Sequence, residues 1–492
     1  MAAKRPGMII VIIIVVLAVI LGGIGWNKFL RERPQEFANE TIEEYFKYGS
    51  IGTENDAGLP FWLWLILPKM FPEYLPGPGG WASLGFIWEQ SHELPVGFSK
   101  KTIGFDRVGL NCALCHTSRV RLPGEAVPRI YPGGTGNTVD ILGYQRFLFA
   151  CASDPRFTSS NILKALGQIV RLSFLDRLQY RYILIPATRK ALQQQKEQFA
   201  WTTTRPDWGR GRVDPFNPVK VAFLNVDIGD TIGNSDMQPI WNLGPRVERK
   251  MALHWDGLNT DLTEVVLSSA LENGATPKSL TMQKLQEMQD WMKTLKPPSF
   301  QALFDINQEL AAAGKPVFEE HCARCHSFDG EQTGRVLPLT DDAWREGLDG
   351  NPSGPLHTDP HRARMWTPEA AAAYNAYGDA YAWDFQHFRS TGGYVNVPLD
   401  AIWIRAPYLH NGSIPYLSEL LAPPERRTQT FYSGHDLYDP ERMGFVSEGP
   451  EAERMGSRYD TSEPGNSNQG HLWGIHLSDG EKRRLLEYMK TL

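Results

Sequence analysis

Apolar residues along the chain fall into four arrangements, each predicting a different element. Met8 to Trp26 runs nineteen residues without a charge, about the length a helix needs to cross the hydrocarbon of a bilayer. Lys4 and Arg5 precede it and Lys28, Arg31 and Arg33 follow it, so basic residues flank both ends and loop charge sets the orientation poorly. No A-x-A cleavage site follows the apolar run, which favours a retained anchor over a cleaved signal peptide. The second arrangement has helical period: Leu310, Gly314, Phe318 and Cys322 lie at i, i+4 steps, and Leu285, Met288, Met292 and Leu295 recur at alternating steps of three and four before the stop at Pro297-Pro298. Leu485, Leu486, Met489 and Leu492 repeat the pattern behind Ser478-Asp479-Gly480-Glu481, which reads as a capping box. Third, Ile162, Leu163, Leu166, Ile169 and Val170 mark residues 160–200 as amphipathic and helical, an extra layer. Fourth, residues 59–80 are rich in aromatics and proline, with an apolar run too short to span a bilayer. A packed wrap or membrane-proximal brace is expected there, with a substrate channel wall as the other reading.

Two of these helices end alike. Asp290-Trp291-Met292-Lys293-Thr294-Leu295 matches Glu487-Tyr488-Met489-Lys490-Thr491-Leu492 position by position. The first copy ends 180 residues after Cys115 and the second 167 residues after Cys325. Two related domains are the economical account, and 492 residues are too many for one ordinary core. The expected division is an anchor over 1–30, a first domain over 31–298 carrying the N-terminal extension and the helical insertion, and a second over 299–492.

The five cysteines are too few for a disulfide scaffold, and four stand in two copies of one pattern, Cys112-Ala-Leu-Cys115-His116 and Cys322-Ala-Arg-Cys325-His326. By chance a C-x-x-C-H string arises in roughly 0.001 of chains of this composition. The spacing sets two thiols on one helical turn, where each can add to a vinyl group of the same porphyrin while the next residue, histidine, ligates the iron. Zinc would want its second cysteine pair much nearer, and a redox dithiol explains neither the histidine nor the repetition. Two covalently bound haem c groups are therefore expected. Haem attachment to thiols takes place outside the bacterial cytoplasm, which predicts a single-pass inner-membrane protein with its haem domains in the periplasm. The lone Cys151 reads as a small buried hydrophobe. A net charge of −6 gives no reason to expect a nucleic-acid partner.

Several further segments carry a resemblance: Gly233-Asn234-Ser235, His254-Trp255-Asp256-Gly257-Leu258-Asn259, Ala406-Pro407-Tyr408-Leu409-His410-Asn411-Gly412-Ser413 and Pro464-Gly465-Asn466-Ser467-Asn468-Gln469-Gly470-His471. With both C-x-x-C-H sites, from about residue 100 to the C-terminus, the chain resembles the bacterial di-haem cytochrome c peroxidase superfamily, and within it the branch of the di-haem rubber oxygenases. The resemblance implies a mainly α fold of two class-I-cytochrome-c-like haem domains in tandem. It implies that one haem passes electrons while the other meets the oxidant, with a tryptophan matching Trp255 between them. The peroxidases carry a catalytic glutamate about twenty residues after that tryptophan; the matching position is Ala275. Glu264 and Glu272 could substitute. The rubber oxygenases line the distal pocket with apolar groups, and Leu271 looks similar. A calcium ion between the domains is a family feature, with Asn234 similar to its side-chain ligand.

For the second haem, His471 is the first choice of sixth ligand and His410 the next, followed by Met365, Met443 or Met455. For the first, the only histidine between the motif and Trp255 is His254, and an open or water-occupied distal position is expected. The leading expectation is an oxidoreductase whose second haem exchanges electrons with a redox partner protein and whose first haem binds dioxygen or hydrogen peroxide. Its rival is a pure electron-transfer cytochrome with both irons six-coordinate.

Overall fold

The computed structural model describes residues 6–37, 39–339, 356 and 358–492. It is mainly helical, with short antiparallel sheets. The helix Pro6–Gly25 stands apart from the body: Ile10–Leu30 has a mean hydropathy of 2.6 and no buried share. A helix apolar on every side, with none of its span buried among the described residues, is long enough to cross a membrane and is poorly suited to water. Its foot is tied down, because Arg33 N donates to Thr102 O at 3.0 Å and Lys28 pairs with Asp176.

Two helix pairs in the body are built alike. In the first copy the helix Ile42–Tyr48 lies on the closing helix Met282–Thr294, with the rings of Phe46 and Trp291 5.0 Å apart. In the second, Gln308–His321 lies on Asp479–Met489, with Phe318 and Tyr488 5.2 Å apart. The second pair crosses closely at Gly314, where a Cβ would stand 1.9 Å from Arg484 O. Ser478 and Glu481 close both bonds of the capping box that starts the last helix. Each closing segment is then held by a residue of positive φ: Leu295 O accepts from Asn242 N, and Leu492 O accepts from Ala401 N, both at 2.9 Å.

The copies differ ahead of their cysteines. Phe318 stands four positions before Cys322, whereas Phe46 stands 66 positions before Cys112. That insertion holds the helix Phe61–Met70 and a three-stranded sheet of Leu59–Pro60, Phe98–Ile103 and Phe105–Leu110, the last in the middle. Its aromatics share one core with the helices Ile141–Ser153, Ser159–Leu166 and Ile185–Gln198. Trp64 is fully buried there, stacked on Trp81 at 4.8 Å, with its Nε1 donating to Tyr144 Oη at 3.2 Å. The proline-rich stretch and the helical insertion thus bury each other, and Cys151 lies fully buried between them.

The halves are joined by reciprocal bonds. Asp236 N donates to His410 O and Val395 N to Trp255 O, each at 2.8 Å. Asp236 and Val395 occupy corresponding places, two residues ahead of Gln238 and Val397. Arg246 and Arg405 also correspond, and both grip the largely buried Asp400, at 2.8 and 2.7 Å. The association extends to the core, where Met365, Trp366, Tyr374, Phe385 and Phe388 pack among first-half residues such as Phe46 and Leu271.

Candidate functional site

Each C-x-x-C-H segment is one tight turn, closed by His116 N to Cys112 O at 3.1 Å and by His326 N to Cys322 O at 3.0 Å. Asn111 caps the first turn through Oδ1, which accepts from Ala113 N at 3.0 Å. The two imidazoles are then oriented identically: Nδ1 of His116 donates to Gln238 O and Nδ1 of His326 to Val397 O, both at 2.8 Å. Each acceptor is the carbonyl just before a proline, Pro239 or Pro398. A carbonyl only accepts, so Nδ1 carries the proton and Nε2 presents a lone pair, the tautomer of a metal ligand. Enclosure by protein favours the neutral ring, lowering His116 to about 4 and lowering His326 as well.

All five cysteines are free. Burial pushes Cys112 up to about 11 and Cys115 up to about 12, which withholds the thiolate that a reactive dithiol or a zinc site needs.

A cavity of about 670 Å³ opens beside Cys112, Cys115 and His116, within the range of cofactor sites. Leu262, Val266 and Leu271 give it apolar walls. The same walls carry buried polar atoms that have no partner among the described residues. Arg246 Nε, His254 Nε2, and Nε and Nη1 of Arg362 are buried and unpartnered. Arg362 is only 2 % exposed, and among the described residues its one ion pair is Nη2 to Asp256 Oδ1 at 3.3 Å. A buried guanidinium with unmet donors is costly by itself and is what the carboxylates of a porphyrin would satisfy. The site therefore fits haem: Cys112 and Cys115 would hold it covalently, His116 would ligate it, and Arg246 and Arg362 would face its acidic edge.

The distal-side expectations meet a mixed outcome. Leu271 is fully buried on the cavity wall. Glu264 is not: its carboxylate accepts from Gln386 N and His387 N at 3.0 Å and pairs with His387 Nδ1 at 2.6 Å. Glu264 is therefore an anchor for the 386–387 loop, which corrects its reading as a cavity acid. Ala275 is buried in the adjoining core. The glutamate on the wall, which Asp56, Asp214 and Asp236 also line, is Glu272, the last residue of the helix Leu262–Glu272. Burial raises its carboxyl to about 8, and Ser268 Oγ donates to it at 2.8 Å, with Tyr374 Oη donating to Ser268 in turn at 2.9 Å.

Trp255 stands on the same wall, its Nε1 donating to Asp236 O at 2.7 Å. It also packs in a small cluster with Ala363, Tyr394 and Trp473. Trp473 lies 5.3 Å from the ring of His471, and His471 lies 6.1 Å from the ring of His326. That interval leaves room for one metal atom bonded to a nitrogen of each ring at about 2 Å per bond. His471 holds a positive φ of 47° in a loop stapled by Arg427, whose Nη1 donates to Asn468 O at 2.6 Å and Gly470 O at 2.8 Å.

The other ligand candidates sit elsewhere. His410 stacks on Tyr394 at 4.0 Å, Met365 and Met443 are fully buried in two different hydrophobic cores, and Met455 ends the helix Gly449–Met455. His254 is on the first cavity's wall and is held neutral, lowered to about 3 by enclosure and by Arg362 and His116. Asn234 uses its Nδ2 to donate to Pro206 O at 3.1 Å and Asp207 O at 3.3 Å, and among the described residues no three His, Cys, Asp or Glu cluster to hold an ion.

Sequence reasoning missed Arg246 and Arg362, and it missed that the two additions to the first half build the far end of the cavity. Leu59, Pro60 and Phe105 line it from one addition, and Leu184, Ala187, Ala191 and Gln195 from the other. The recurrence of small and polar residues at Ala187, Ala191, Gln195 and Gln198, one face of a helix, was the available signal.

Comparison with known proteins finds one family model and two relatives in Sinorhizobium fredii. Residues 393–432, the stretch that supplies Val397, Asp400, Arg405 and His410, match a family model described as RoxA-like, cytochrome c-like. The uncharacterized protein y4iJ of Sinorhizobium fredii is 40% identical over 104 residues, 19% of this chain and 17% of that protein. The uncharacterized protein y4iM of the same organism is 28% identical over 290 residues, 52% of this chain and 64% of that protein. The chain thus spans less than two thirds of either relative. A RoxA-like, cytochrome c-like segment points to a haem-bearing cytochrome, with the haem c bound covalently.

Proposed function

We propose that the chain is a membrane-anchored di-haem c-type oxidoreductase with its body in the periplasm, one site exchanging electrons with a redox partner protein and the other meeting dioxygen or hydrogen peroxide. Haem supplies, when bound, a one-electron relay at Cys322, Cys325 and His326 and an iron able to take the oxidant at Cys112, Cys115 and His116. The observation that carries the reading is the inequality of two otherwise identical motifs. His326 is faced by the ring of His471 at 6.1 Å, whereas His116 borders the 670 Å³ cavity. Trp255 bridges the cavity wall and the cluster beside His471, a place from which an aromatic ring can couple the two sites. Leu271 and its apolar neighbours exclude water, while Glu272, protonated at neutral pH, can deliver a proton into the cavity. This carboxyl is an acid of the kind that the position of Ala275 lacks.

A second reading, electron transfer alone, is favoured by the unpartnered Nε2 of His254 on the first cavity's wall, which could complete that site as His471 completes the other. Spectroscopy of the purified full chain decides. The oxidoreductase reading expects two haems per chain after denaturation, one low-spin centre lost in His471→Ala, and one reduced centre that binds carbon monoxide. Two low-spin centres and no carbon monoxide binding would establish the carrier, with His254→Ala then opening a site.

A further inference from the structure

Beside the foot of the anchor lies a second apolar surface that the site does not use. Phe174–Gln179, Tyr180–Leu184 and Ile185–Gln198 follow one another without a break as one helix with a π turn in the middle. Its inner face is buried through Gln179, Tyr180 and Leu184. Its outer face shows Phe174 75% exposed, Leu175 43%, Leu178 38%, Tyr182 67% and Ile183 46%. Residues 174, 178 and 182 stand one turn apart on one stripe. Exposed Arg171, Arg177 and Arg181 flank it. An apolar stripe edged by arginine is the pattern of a helix lying in the headgroup layer of a membrane, its apolar side sunk about 5–10 Å.

The occupant is indicated by where the surface sits. Lys28, two residues past the charge-free run Met8–Trp26, pairs with Asp176, and Gln179 Nε2 donates to Lys28 O at 2.6 Å. The apolar stripe is therefore fixed to the point where the anchor leaves the bilayer, continuous with exposed Trp26 and Leu30. The same helix then reaches the cavity: Ala187, Ala191, Gln195 and Gln198 are solvent-exposed and line it, so they mark a mouth. Ala187 follows Ile183 by four residues, about 6 Å along a helix axis.

We propose that the Phe174–Ile183 surface docks on the bilayer that holds the anchor, setting the cavity mouth at the headgroup layer, so that the substrate class of the first site is apolar molecules dissolved in the membrane. The inference rests on the anchored reading of the N-terminal helix and deepens the proposed function of the cavity. Full-length protein is reconstituted into vesicles of phosphatidylcholine and phosphatidylglycerol with a nitroxide at Tyr182→Cys, at Leu178→Cys as a second reporter, or at Val127→Cys, which is 72% exposed elsewhere. Labels at 178 and 182 are expected to lose collisions with a water-soluble nickel chelate and gain them with membrane-dissolved dioxygen on reconstitution, while the label at 127 does not change. Labels at 178 and 182 that stay as open to the chelate as 127, in protein resisting carbonate extraction, overturn the proposal, as does a chain that carbonate strips from the vesicles. Haem content, measured on the same samples, reports separately on the site itself.

Discussion

Glu272→Gln tests the cavity through proton linkage. An ordinary glutamate carboxyl at 4.5 is raised to about 8 in this protein, chiefly by burial, against the lowering effect of the Ser268 hydrogen bond. Each tenfold change in proton affinity is about 1.36 kcal/mol, so the folded state holds this proton more tightly by on the order of 5 kcal/mol. That contribution is complete below about pH 4.5, declines as the unfolded chain ionises while the folded chain does not, and is exhausted once pH passes about 8. Glutamine keeps the shape and can still accept from Ser268, but it does not titrate. The stability of the native protein minus that of the variant is therefore expected to fall steadily from about pH 4.5 to about pH 8, by at most on the order of 5 kcal/mol. Guanidinium unfolding of both holoproteins at closely spaced pH values measures the difference, in which the other titrating groups cancel. A difference that stays flat across this range would refute the argument, and with it the assignment of Glu272 as a neutral proton donor at pH 7.

Asp400→Ala leaves the guanidinium groups of Arg246 and Arg405 buried together without their carboxylate, and a loss of about 3–5 kcal/mol is expected in denaturant unfolding; an unchanged midpoint would show that water already neutralises the site. Gly314→Ala drives a methyl group against Arg484 O and Tyr488 Cβ and is expected to cost about 1–3 kcal/mol, read as a lowered melting temperature. Gly480→Ala, with open space around it, should stabilise or leave the melting temperature unaltered. Arg362→Met is expected to lower the haem retained at the first motif while leaving the second motif loaded, measured as haem per chain.

The local devices of this fold were plain in the sequence. Helical spacing found the closing helices, the Ser478–Glu481 capping box formed as written, and the repeated final hexapeptide pointed to the paired constructions around Trp291 and Tyr488. What depended on distant partners was not. Arg362 looks like any surface arginine until burial strips its donors of water and sets it against Asp256, 106 residues away. Choosing among Glu264, Glu272 and Ala275 by counting from Trp255 failed because the helix Leu262–Glu272 ends at the cavity, which only its packing reveals. His471 could be ranked ahead of His410 as a ligand candidate from the sequence, but the physical difference between them lies in where their rings sit, one facing His326 and one stacked on Tyr394.

The exchange of Asp236 with His410 for Val395 with Trp255 has a consequence for association. A patch whose two members each satisfy the other's backbone is self-complementary, the hallmark of a symmetric homodimer. A segment that carries one such edge without its counterpart is left with an open donor and an open acceptor that a second copy of itself can meet, and is expected to run as a dimer in sedimentation.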